Sequence, residues 1–353
     1  KTDQAKMKIV VKPPKKKKKK KVDDEDESEE LDDDNCGGIY VVNVKYKNPN
    51  TEAITLAFEK VRANDRKGWV KDDSTDVLNY TDGYVTIPDF LNKEMRLYSR
   101  DDCERNIPGI DGMKPGGRKI VQTMKKKGIL NIKKQQKVGQ IANLSSAEMD
   151  YHHGEKSMCE SIVKQAQNHC GSNNVSIFEP EGQFGSRVQN GADHASERYT
   201  FSYMNALGQI LIRSDDDDVL EYNVDDDDKQ IEAKLFAPIL PLVLMNGAAG
   251  IGTGFSTSIP MYNPKDILAI FRAFLNEEEA DYDILPFMYG FKGSILKSND
   301  EGTYLVYGKY QIVDESTVRI TEIPVGSTTC KSFEKYKIFL SKTLHSGRQV
   351  KII

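Results

Sequence analysis

The chain has 353 residues, enough for two domains with cores of their own, and 50 Lys and Arg against 54 Asp and Glu leave a net charge of −4. So small a balance excludes a protein drawn to nucleic acid by overall charge alone, and any such interface must be local. The five cysteines never form a Cys-x-x-Cys pair, which points to reduced intracellular thiols and to no zinc site. The longest apolar run, 237–245, holds two prolines and falls well short of the ~20 residues of a bilayer span. Residue 1 is Lys and no signal-like apolar stretch follows, so the chain reads as a piece of a longer protein.

Residues 1–35 are low in complexity, with an unbroken lysine run from Lys15 to Lys21 and an acidic tract from Asp23 to Asp34. Such blocks repel themselves and bury nothing, which predicts disorder. The lysines suit a nuclear-localisation or nonspecific DNA-contacting patch, or equally a solvated linker neutralised by its acidic neighbour. Ile39, Val41, Val44 and Tyr46 alternate as in a strand. Ile54, Ala57, Phe58 and Val61 predict a helix within 50–71. Pro88 suits the first turn of another helix, in which Leu91, Met95 and Tyr98 face a core.

Between Asp111 and Glu148 no acidic residue occurs, yet nine basic ones do: Lys114, Arg118, Lys119, Lys125, Lys126, Lys127, Lys133, Lys134 and Lys137. In a net acidic chain this segregation is how a phosphate-binding surface is built, the plainer alternative being a solvated basic face. Lys114-Pro115-Gly116-Gly117-Arg118 reads as a turn into a helix, where free N–H groups and two cations suit a phosphate. Ser145 to Glu148 reads as a capping box opening a helix. After Gly154, Met158, Ile162 and Ala166 share one face of a helix that ends near Gly171. Two helices joined by a short turn, then strand pairs, suggest a winged-helix module. His152-His153 lacks a third ligand at metal spacing, so zinc is rejected.

The loop from Asn190 to Tyr199 sets a phenol directly after a guanidinium. A phenol of pKa near ~10 is a poor nucleophile at neutral pH unless a fixed cation stabilises the phenolate and the phosphate it attacks. Arg suits that task because it stays charged and its fork matches phosphate oxygens. Standing alone, Arg198-Tyr199 reads as a surface arginine before a strand. The aspartate runs at 215–218 and 225–228 read as solvated loops. Pro238 to Met245 followed by Gly247, Gly250, Gly252 and Gly254 mimics a strand and a dinucleotide-binding loop. Pro260 and Pro264 stand where its helix must run, so an oxidoreductase reading fails. Ile267, Ile270, Phe271 and Phe274 predict a helix over 264–275, and strands follow at 303–313 and 317–323.

Five blocks acquire a common meaning by resemblance: Asp111 to Lys119, Tyr151 to Glu155, Gln167 to Asn174, Glu179 to Arg187 leading on to Arg198-Tyr199, and Asn246 to Gly254. In that order and spacing they resemble the type IIA DNA topoisomerases, nearest the eukaryotic and large-DNA-virus branch, over roughly residues 50–325. Asn48-Pro49-Asn50-Thr51 and Asp65 to Trp69 resemble the connector that follows the family's metal-binding toprim domain. Phe291-Lys292-Gly293 and Ile320 to Pro324 resemble the start of its tower domain.

The resemblance implies an α+β chain. Residues 1–46 would be a charged segment with a short strand, and 47–85 the connector after a toprim domain. Residues 86–236 would be a winged-helix (helix-turn-helix) domain bearing the catalytic tyrosine, and 237–353 part of an α/β tower domain. Tyr199 would attack the phosphodiester, with Arg198, Arg118 and His153 stabilising the transition state. The basic patch, here Lys114, Lys119, Lys125, Lys126, Lys127, Lys133 and Lys137, would hold DNA together with His152 and Gln183. Ile251 would wedge between base steps and bend the duplex. Mg2+ and ATP would be bound by toprim and ATPase domains outside this chain, the partner would be double-stranded DNA, and the enzyme a homodimer. Its place would be the nucleus, or a cytoplasmic replication site for a viral protein. The alternative is a noncatalytic winged-helix protein that binds or bends DNA. Ala192 stands where the family has lysine, and Glu181 and Glu197 add negative charge near the tyrosine, a repulsion toward phosphate on the order of 1 kcal/mol.

Overall fold

The computed structural model describes residues 52–325, apart from 73, 75, 82, 301, 315 and 316, together with the backbone of Lys6–Met7 and Val44–Lys45. The charged segment and the alternating 39–46 stretch otherwise lie outside the described residues. The chain divides into two compact units, Lys1–Cys103 with Gly252–Phe255, and Glu104–Ile251 with Ser256–Ile353.

In the first unit, β1 (Lys6–Met7) pairs antiparallel with β2 (Val44–Lys45). The expected 50–71 helix is broken into α1 (Glu52–Phe58) and α2 (Ala63–Lys71) by a 3₁₀ turn at Lys60–Arg62. Val61 is 88% exposed there, and the buried Arg66 occupies the interior, donating to the carbonyls of Leu56 at 2.8 Å and Glu59 at 2.9 Å. The apolar pattern could not anticipate that an arginine would take carbonyls at the end of α1. Thr86 caps α3 (Ile87–Phe90) by accepting from the Asp89 N–H at 3.2 Å, and Pro88 lies in its first turn as expected. A π turn at Leu91–Met95 leads into α4 (Arg96–Asn106). Its extra residue shifts the helical phase. Leu91 is therefore buried as expected, whereas Tyr98 is 59% exposed and Arg96 takes the interior position, donating to Asn92 O at 2.7 Å.

The second unit is built on α5 (Pro115–Lys127), β3 (Gln136–Lys137), α6 (Val138–Glu148), α7 (Glu155–Ala166), β4 (Phe178–Glu181) and β5 (Phe201–Met204). Pro115 opens α5, and Gly128 closes it in the left-handed conformation, with Ile129 N–H bonded to Met124 O at 2.9 Å. The strands form an antiparallel sheet in the order β3–β5–β4. Ile120, Met124, Ile141, Ile162, Phe178 and Met204 are fully buried between helices and sheet. Each such side chain contributes about 1.5–3 kcal/mol relative to exposure.

Met158, Ile162 and Ala166 do face this core. The stretch from Ser145 to Glu148 does not open a helix; it is the last turn of α6, where Ser145 is fully buried and Ser146 Oγ donates to Ala142 O at 3.0 Å. A hydroxyl can back-bond to its own helix as readily as cap a new one, and the apolar face of 138–142 had already committed the chain.

Farther on come α8 (Ala206–Leu211) and the hairpin of β6 (Tyr222–Val224) and β7 (Gln230–Ala233). The expected strand at 238–245 ends instead in a helical turn, α9 (Leu242–Met245). The glycine-rich stretch is a pair of strands, β8 (Ala248–Gly252) and β9 (Phe255–Ile259), with no helix until α10 (Pro264–Leu275). Of the α10 stripe Ile267 is buried while Phe274 is 71% exposed. The chain continues into two antiparallel pairs, β10 (Ser294–Lys297) with β11 (Tyr304–Tyr307) and β12 (Lys309–Ile312) with β13 (Val318–Glu322). One side chain, Asn174, ties these parts together. Its Nδ2 is shared among the carbonyls of Met245 (3.0 Å), Tyr262 (3.1 Å) and Phe287 (2.9 Å), and its Oδ1 accepts from Tyr289 N–H at 2.7 Å.

Candidate nucleic-acid interface

Tyr199 lies at the end of a loop that leaves β4 and returns as β5. Two anchors bracket it. The first N–H groups of α6, which no helical carbonyl can satisfy, donate into this loop: Gly139 N–H to Glu197 O at 3.3 Å and Val138 N–H to Thr200 O at 3.0 Å. A Cβ at Gly139 would lie in ordinary contact, 3.5 Å from Glu197 Cγ and 3.9 Å from Glu155 Oε1. Helix α6, the tyrosine loop and the opening turn of α7 thus converge on one spot.

The rest of the loop is pinned internally. Asp193 accepts from Ser186 N–H at 2.7 Å and Ser186 Oγ at 2.6 Å, bonds that hold its carboxyl below the usual range. Gln167 Nε2 donates to Phe184 O at 2.8 Å and Gly191 O at 3.1 Å. Gly191 (φ 79°) is required because a Cβ would strike the Gln167 amide. Arg187 Nη2 pairs with Glu322 and donates to Ile323 O at 2.9 Å. Burial opposes charge on Glu322, but Arg187 and the Lys292 N–H hold its carboxyl low. None of these latches was singled out from the sequence; the Asn-Gly turn followed by Asp193 was their only local signal.

On this fixed backbone the Tyr199 phenol is 69% exposed. The Arg198 guanidinium lies 5.9 Å from its ring centroid, a cation–π placement. Glu197 is charged at neutral pH, its carboxyl held low first by its own backbone N–H and also by Ser196 and Arg198. Ala192 and Gln183 are exposed and Glu181 is half-buried.

His153 is exposed and packs edge-on against Tyr151, with ring centroids 5.3 Å apart. His152, also exposed, lies 3.1 Å from Asp150 Oδ1 through Nε2. Both immediately precede α7. Arg118 is buried: Nε and Nη2 reach Asp111 at 2.7 Å and 3.0 Å, and Nη2 also reaches Met113 O at 2.8 Å. Nη1 makes no hydrogen bond among the described residues.

The lysines fall into two sets. Lys119 is buried against Glu232 at 2.8 Å and also donates to Met149 O. Lys125 pairs with Asp217, a residue of the first aspartate run, and lies 5.6 Å from the Phe236 ring centroid. Lys126 donates to Gln230 O at 3.1 Å, and burial followed by repulsion from Lys229 pushes its pKa down. Lys127 bonds Glu148 at 2.6 Å. Lys126 and Lys127 are exposed despite these bonds, whereas Lys114, Lys133 and Lys137 are exposed and make no ion pair among the described residues. The register of β3 against β5 pairs Lys137 with Phe201, two residues from Tyr199, although the paired residues are 64 positions apart in sequence. Ile251 is 81% exposed in β8.

Among the described residues no group of three or more His, Cys, Asp or Glu side chains could hold a metal ion, and no helix is long and apolar enough to cross a membrane. Cys159 and Cys170 are thiols outside any disulfide.

Two family models match the chain: the DNA gyrase/topoisomerase IV A-subunit family over residues 105–352, and the C-terminal associated domain of TOPRIM over 39–103. The chain is 44% identical over 294 residues to a DNA topoisomerase 2 of Arabidopsis thaliana, the match covering 82% of this chain and 19% of that protein. It is 38% identical over 305 residues to DNA topoisomerase 2-alpha of Homo sapiens, covering 82% and 19%. Among solved structures it resembles the Plasmodium falciparum topoisomerase II DNA-binding, cleavage and re-ligation domain, at 35% identity and a TM-score of 0.71, covering 86% of this chain and 41% of that one. The chain thus spans about a fifth of the length of these curated relatives.

Proposed function

Because the chain belongs to the type IIA DNA topoisomerase family, we propose that it is the DNA-binding, cleavage and religation segment of a type II DNA topoisomerase, with Tyr199 as its nucleophile. The observation that carries this reading is an exposed phenol on a loop anchored on both sides, directly after an arginine.

In the proposed reaction Tyr199 Oη forms a bond to phosphorus as the bond from phosphorus to the 3′ oxygen breaks. The phenolic proton is given up and the departing 3′ oxygen gains one, leaving a 5′-phosphotyrosyl link and a free 3′ hydroxyl. One phosphodiester is exchanged for another, so the 3′ hydroxyl can reverse the step without ATP. Arg198, His153 and the remaining Nη1 of Arg118 are the donors for charge developing on the phosphoryl oxygens. Asp111 holds the other side of the Arg118 fork and so fixes where Nη1 points. Lys114, Lys133, Lys137, His152 and Gln183 are the groups proposed to meet the DNA backbone directly. In this reading α6 and α7 with the β3–β5–β4 sheet are the winged-helix domain, residues 47–85 the connector, and 237–353 the start of the tower. ATP-dependent strand passage, a homodimer and Mg2+ belong to the whole enzyme, with both cofactors held outside this chain.

The test uses the full-length protein with Mg2+ and supercoiled plasmid, trapping covalent complexes by denaturation. Tyr199→Phe is expected to lose them by at least ~1,000-fold, because no second nucleophile of that geometry replaces the phenol. A noncatalytic DNA-bending protein would bind plasmid equally in both versions and trap none in either. Equal trapping by both versions overturns the assignment of Tyr199.

A further inference from the structure

Ile251 can bend a duplex only if its backbone resists the push of the stacked bases, and helix α4 supplies that resistance. The N–H and the hydroxyl of Thr253, two residues past Ile251, both donate to one oxygen of Asp102, at 2.7 Å and 2.8 Å. The next residue on the same helix, Cys103, contributes a weak contact from Sγ to Thr253 O at 3.6 Å. On the other flank, Gly250 lies so close to Asn106 O and Pro108 that a Cβ would meet Pro108 Cδ at 2.8 Å. Beyond Thr253, the guanidinium of the buried Arg66 lies 5.7 Å from the Phe255 ring centroid. Ile251 itself stays 81% exposed between these anchors.

We infer that Asp102 is a positioning residue for DNA bending, acting through Thr253 to fix the strand that carries Ile251. A charged acceptor serves here because a carboxylate oxygen can take two donors at once and binds them more strongly than a neutral carbonyl. Unstacking one base step costs a few kcal/mol, so a tip free to recoil would yield before the DNA does. The inference rests on the proposed wedge role of Ile251, and the experiment separates the two.

Bend angle is read by energy transfer between dyes at the ends of a duplex bound to the full-length protein, alongside affinity for an intact duplex and for one pre-bent by a short gap. Asp102→Ala leaves two donors without an acceptor and is expected to lower the bent population about tenfold. Thr253→Val, which keeps the N–H, is expected to have a smaller effect. Asp102→Asn, whose amide oxygen still accepts, is expected to restore most of the bending. Affinity for the pre-bent duplex is expected to stay within about twofold throughout, and Ile251→Ala to abolish bending. If Ile251→Ala abolishes bending while Asp102→Ala and Thr253→Val do not, the positioning role falls and the wedge stands. If Ile251→Ala bends DNA normally, both fall. If Asp102→Ala weakens binding to intact and pre-bent duplex alike, Asp102 supports the fold rather than the bend, and the inference is overturned.

Discussion

The two halves of the basic segment put the same residue types to opposite uses. Within α5, Lys119, Lys125 and Lys127 each hold a carboxylate, and Lys126 holds backbone carbonyls. At the start of α5 and along 133–137, Lys114, Lys133 and Lys137 face solvent. A run of cations becomes a phosphate-binding surface only where the fold has not already supplied acids to it. Here Glu232, Asp217 and Glu148 claim one half and leave the other half available.

The sharpest way to break this contrast is at Lys119. Its pair with Glu232 is nearly excluded from water, with side-chain exposures of 11% and 4%. Replacing Lys119 with Met strands a buried carboxylate and is expected to cost about 3–5 kcal/mol in denaturant unfolding. The double change Lys119→Met with Glu232→Leu is expected to recover most of that loss. A near-neutral Lys119→Met would mean that the cation is not committed inward and belongs with the set proposed to meet DNA.

A smaller effect separates the two sets by salt. Each phosphate neutralised contributes about 0.9 to the slope of log affinity against log salt. Changing Lys114, Lys133 and Lys137 together to Ala is expected to lower that slope by up to ~3 and to weaken binding across sequences. The same treatment of Lys125, Lys126 and Lys127 is expected to leave the slope within ~1 of its starting value. Equal losses would erase the distinction between the halves.

What could be read from the sequence follows the same line. Local rules served where the cause was local. The α7 stripe, the helix start at Pro88 and the glycine stretch that could not be a nucleotide loop all appear in the structure. The segregated charge was legible as a pattern, but not its partition, because the acids that claim the lysines lie 21 to 113 residues away. The misplaced cap at Ser145 and the misaligned Tyr98 share a cause: each was assigned by spacing on an ideal helix, and the real chain either continued α6 or inserted a π turn. Tyr199 is proposed on resemblance. Its anchors were not legible, because two N–H groups at the start of α6 meeting carbonyls at 197 and 200 leave no mark in residue identity.

The mildest test concerns Lys127 and Glu148, whose side chains are 38% and 34% exposed. The hydrogen bond from Lys127 holds the Glu148 carboxyl below its ordinary value of 4.5, with burial opposing it. A carboxyl whose pKa is lower when folded stabilises the fold above its unfolded pKa, and that stability is lost as pH falls through the folded value. Lys127→Ala is therefore expected to cost less than ~1 kcal/mol at pH 7 and low salt, with the gap to the unaltered protein closing as pH falls through the lowered Glu148 value and shrinking in 1 M salt. Urea unfolding of both proteins at pH 7 and pH 3 measures that gap directly. A gap that persists at pH 3 would show that Lys127 stabilises through its aliphatic stem and not through Glu148. In that case its ammonium is no more committed than that of Lys133, and Lys127 moves across to the set available to phosphate.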